Sequence, residues 1–72
     1  MMEKKALILF AHGSRDPEWS ATLERICRTI RGNSPETRVE PAFLEFTAPS
    51  LSESAERLIT EGFNRIVVVP VF

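Results

Sequence analysis

The chain has 72 residues, 43% hydrophobic and 26% charged, a composition that suits one small globular domain and leaves no room for two. Its net charge of −1 excludes a general attraction to nucleic acid or anionic membranes, so an acidic ligand has to be caught locally. The single cysteine, Cys27, excludes an internal disulfide framework and fits a reducing compartment, here expected to be the cytoplasm. The amino-terminal "MMEKKALILF" has a short apolar run with no small-residue cleavage site after it, and is read as a buried strand, not as a signal peptide or anchor.

That first strand covers Ala6 to Ala11, a continuous apolar run of the kind buried on both faces of a parallel sheet. The period then changes. Leu23, Ile26, Cys27 and Ile30 recur on one helical face, with Trp19 on the same face, and predict a helix over roughly 17–31. Asp16 is its expected N-cap, Pro17 its first residue and Gly32 its stop. After the polar turn "NSPET", "RVEPAFLEF" reads as a second strand packing through Val39, Ala42, Phe43, Leu44 and Phe46. Pro41 cannot donate a ladder hydrogen bond, which puts this strand at a sheet edge. A second helix begins with a capping box of Ser50 and Glu53, packs through Leu51, Ala55, Leu58 and Ile59, and ends at Gly62. "RIVVVPVF" is a further strand, expected to be buried on both faces.

Alternating strands and helices with short connections predict an α/β fold with a parallel sheet and right-handed crossovers. The edge position of the second strand gives the order 2-1-3, the start of a flavodoxin-like sheet. Ligands of such sheets sit beyond the carboxyl ends of the strands. His12 follows the first strand directly, and Glu45 lies at the corresponding end of the second, so topology brings an imidazole and a carboxylate to one rim. Imidazole binds first-row divalent metals and accepts protons near neutral pH. One histidine and one glutamate do not define a metal site by spacing, and they serve equally well as a solvated polar rim. Gly13 and Ser14 lie near a helix start, where their amides can hold an anion or simply form the turn. Arg15 can pair with a carboxylate or meet only water. Trp19 and Cys27 are read as core, and Arg25, Arg28 and Arg31 as a solvated face.

Three stretches, "LILFAHGSRDPEW", the "LE…PSL" element and "VVVPVF", at their spacing in this chain, resemble the amino-terminal part of the CbiX-type sirohydrochlorin chelatases, relatives of the class II chelatases. The resemblance runs through nearly the whole chain. It implies a lyase-type enzyme of cobalamin or siroheme biosynthesis that inserts a divalent metal, cobalt, iron or nickel, into sirohydrochlorin. It implies that His12 is metal ligand and base, that Glu45 supports it, and that Gly13, Ser14 and Arg15 contact the carboxylated rim of the macrocycle. The metal is substrate, and no organic cofactor is implied. Family members continue past this last strand into a Gly-rich loop with a second active-site histidine, so residues 1–72 are expected to be one incomplete domain, inactive alone and completed by further chain or by a second copy. A His12-dependent phosphoryl-transfer enzyme and a non-catalytic, truncated or dimerising module are the rival readings.

Overall fold

The computed structural model describes residues 3–13 and 15–71. β1 (Lys5–Ala11) forms the centre of a three-stranded parallel sheet, with β2 (Arg38–Phe43) on one side and β3 (Arg65–Pro70) on the other. The observed order β2-β1-β3 is the one that Pro41 implied. Ala6, Ile8 and Ala11 in β1 are fully buried, as a strand flanked by both neighbours and covered on both faces requires.

The crossovers put one helix on each face. α1 (Pro17–Asn33) packs Leu23 and Cys27 against Leu9, Ala11, Val39 and Phe43, whereas α2 (Leu51–Thr60) packs Leu58 against Ala6, Ile8 and Ala42 on the opposite face. The local start signals operate as the sequence implies. The Asp16 carboxylate accepts from the Glu18 amide at 2.9 Å, and Ser50 and Glu53 close a reciprocal capping box. α1 runs two residues beyond its expected end. Gly32 does not adopt a left-handed backbone, and the turn closes at Ser34, whose N–H donates to the Ile30 carbonyl. Gly62, at φ 94°, does stop α2 as expected.

Three packing expectations need correction. β2 stops at Phe43, and Leu44 and Phe46 are exposed rather than packed. The Phe43 N–H already turns to the Pro49 carbonyl, and Phe46 takes φ 69°, which ends the extended run. β3 is not doubly buried: Val68 and Val69 stay partly open, because β1 is the strand's one sheet neighbour and the helices pack mainly over β1 and β2. Trp19, Ile26 and Ile59 also keep large exposed areas, so the apolar stripes of both helices are wider than the surface that β1 and β2 offer them. Among the described residues no helix is long and apolar enough to cross a membrane.

Candidate functional site

The carboxyl ends of β1 and β2 are joined beyond the last strand residues by their own backbones. The Leu44 N–H donates to the Ala11 carbonyl at 3.0 Å and the Glu45 N–H to the His12 carbonyl at 3.1 Å. The two loops therefore leave the sheet side by side, in a fixed register. Gly13 is required by this arrangement. It adopts φ 101°, and a Cβ at this position would run into the Glu45 carbonyl oxygen.

Above that backbone frame, His12 Nε2 lies 2.7 Å from Glu45 Oε1. Both side chains are about half exposed, at 58% and 49%, so the pair is reachable from solvent. An ionised carboxylate only accepts, so Nε2 carries the hydrogen in this bond. In the neutral ring that leaves the lone pair on Nδ1, available to a metal ion or a proton. The carboxylate thus fixes both the tautomer and the orientation of the imidazole.

Of the remaining sequence-derived site residues, Arg15 lies on the same rim with its guanidinium 4.7 Å from the centre of the Phe46 ring. Ser14 lies outside the described residues, as does Phe72 at the end of the last strand. The anion site considered at the start of α1 meets acidic company: Asp16 already caps the Glu18 amide, and Glu18 stands in the first turn. Trp19 lines an apolar groove with Thr22, Leu23, Ile26 and Val71. Cys27 is buried, and that burial pushes its thiol pKa up, which suits a packing role. Among the described residues no three histidine, cysteine or acidic side chains converge as a metal cage.

Leu44 and Phe46 are the rim residues that sequence reasoning misplaced, having assigned them to the core. A signal for them is present in the chain: "TAPS" follows Phe46 at once, and such turn chemistry shows that the strand has already ended.

The CbiX family model matches residues 6–72. A sirohydrochlorin cobaltochelatase of Methanocaldococcus jannaschii is 34% identical over 68 residues, which cover 94% of this chain and 48% of that protein. One of Saccharolobus islandicus strain L.S.2.15 is 39% identical over 69 residues, covering 90% and 49%. The chain spans about half the length of the curated relatives it matches. A crystal structure described as a cobalamin (vitamin B12) biosynthesis CbiX protein, from Marinobacter aquaeolei VT8, superposes with a TM-score of 0.79 at 30% identity, over 97% of this chain and 56% of that one.

Proposed function

Because the chain belongs to the CbiX family, we propose that it supplies the His12–Glu45 part of a site that inserts a divalent metal into sirohydrochlorin, as a cytoplasmic step of tetrapyrrole synthesis. The observation that carries this reading is the 2.7 Å contact between Nε2 and Oε1 on the ligand-binding rim of the sheet. The cobaltochelatase names of the relatives favour cobalt(II) as the substrate ion. Iron(II) and nickel(II) draw on the same nitrogen and oxygen donors and are alternative substrates.

Insertion requires three things of a protein: loss of water from the ion, its placement over the macrocycle, and removal of two protons from pyrrole nitrogens as metal–nitrogen bonds form. Nδ1 of His12 meets either the first or the last need, though one nitrogen cannot hold ion and proton together. With Glu45 holding Nε2–H, Nδ1 faces the ion first. As the ion passes from Nδ1 to the macrocycle, the freed lone pair accepts one of the two pyrrole protons, the other leaves to solvent water, and Glu45 stabilises the resulting imidazolium. Gly13 keeps the two loops close enough for this pair to form. Ser14 and Arg15 contact the carboxylates of the substrate rim, Arg15 through a planar fork that suits a carboxylate. No organic cofactor enters the reaction.

Residues 1–72 form one incomplete α/β unit in this reading, and the open side of β3 takes a further strand from a second copy or from continuing chain. The test is anaerobic insertion of cobalt(II), followed by macrocycle absorbance in the protein that carries these residues. His12→Ala abolishes insertion and leaves the fold intact, and Glu45→Gln slows it by about 10- to 100-fold, since the glutamate tunes a ligand without supplying the bond. Insertion by His12→Ala at the wild-type rate would exclude the role given to this histidine.

A further inference from the structure

Two apolar side chains on the rim have no part in metal or proton handling. Leu44 and Phe46 flank Glu45 and are 61% and 57% exposed. Phe46 moreover holds φ 69°, a left-handed backbone that is costly for a bulky residue and that Gly or Asn would occupy more easily. Packing does not explain a large ring at this position, since most of it faces solvent. One face of the ring carries the Arg15 guanidinium, which comes from the loop that also holds His12.

We infer that Phe46 contacts the substrate directly: its ring seats the conjugated face of the tetrapyrrole, with Leu44 extending the apolar surface, and Arg15 shields the ring until substrate arrives. This inference rests on the chelatase reading above. A carboxylated tetrapyrrole has a wide π face and an anionic rim, and the free rim of this protein offers one partner for each, stacked on the other. A cation–π contact in water is weaker than a charge-assisted hydrogen bond between guanidinium and carboxylate. An arriving carboxylate therefore draws Arg15 off the ring, and the uncovered aromatic face meets the macrocycle. Recognition of the rim and of the plane is coupled, which favours substrates that carry both. No covalent step is involved.

Titration with metal-free sirohydrochlorin, followed by its own fluorescence, tests the assignment apart from chemistry. Phe46→Leu keeps an apolar side chain but loses the ring, and binding weakens by about 5- to 10-fold. Phe46→Trp restores it. Phe46→Gly relieves the left-handed backbone, so it melts no lower than wild type yet binds at least as weakly as Phe46→Leu. Unchanged affinity in Phe46→Leu, or failure of Trp to restore it, overturns the assignment of Phe46 and leaves the chelatase reading standing. A wild-type protein that binds no sirohydrochlorin overturns both.

Discussion

The two edges of this sheet are built to opposite specifications. Along β2 one outward backbone group of each of Val39, Pro41 and Phe43 is engaged. The Val39 carbonyl accepts two bonds from the Arg31 guanidinium, at 3.1 and 2.8 Å. Pro41 has no N–H to offer, and its carbonyl accepts from the buried Ser54 hydroxyl at 2.8 Å. The Phe43 N–H donates to the Pro49 carbonyl at 2.9 Å. Around them Glu40 gathers Arg31, Arg38 and Arg57, and Arg38 also forks onto Glu61. Such an edge is a poor template for another strand. β3 differs: its apolar run has no comparable charged cover among the described residues, and Val68 and Val69 remain 42% and 37% exposed. Among the described residues the covered edge and the open one thus lie on opposite sides of β1.

The largest effect that would break this contrast is a change of association state. The 72-residue chain should self-associate through β3, and Val68→Lys should convert it to a monomer in sedimentation at micromolar concentration, because a lysine on an open strand discourages pairing. Reversing a charge on the β2 side, as in Glu36→Lys, should leave association unchanged. If Val68→Lys associates as the wild type does, β3 is not the growing edge.

A smaller effect sharpens the other half of the comparison. Ser54 is fully buried with its hydroxyl on the Pro41 carbonyl, so Ser54→Ala strips the only side chain seen to satisfy that oxygen among the described residues. Denaturant unfolding should show a loss of about 1–3 kcal/mol, the usual cost of leaving such a group unpaired. A loss near zero would mean that the β2 edge does not depend on this bond.

The smallest effect concerns acid. Hydrogen bonds from the Ser50 backbone and hydroxyl lower the Glu53 pKa, and the Arg38 guanidinium lowers that of Glu61. A carboxylate depressed in the folded state stabilises it above the unfolded value, about 4.3, and that contribution disappears as pH falls through the folded value. Unfolding midpoints should thus decline modestly below about pH 4.3, and the decline should be shallower in Glu53→Gln and in Glu61→Gln. Both groups lie on the surface, which keeps the effect small.

The features that the sequence disclosed are those with local causes. Asp16-Pro17 and the Ser50–Glu53 box act within a single turn, and their signatures matched the observed helix starts. Pro41 revealed an edge because its missing N–H is a property of the residue itself. The parallel order then followed, and with it the meeting of His12 and Glu45, which the structure brings to 2.7 Å. What stayed hidden depends on neighbours. "FLEF" alone has the pattern of a strand to its end; "TAPS" announces a turn after it, and the turn of the Phe43 amide toward Pro49 fixes where the sheet stops. Apolar β3 reads the same whether or not a strand lies outside it. The stacking of Arg15 on Phe46 joins two loops 31 positions apart, and neither residue announces the other.

In the proposed site Glu45 holds Nε2–H of His12 so that Nδ1 meets the metal. Nitrogen-15 NMR of the single histidine tests it most directly, during titration with zinc(II) as a diamagnetic stand-in for cobalt(II). Nε2 should stay protonated and the Nδ1 resonance should move as metal binds, with the tautomer preference lost in Glu45→Gln. A metal-induced shift at Nε2 with the proton on Nδ1, or no response of the ring at all, would contradict it.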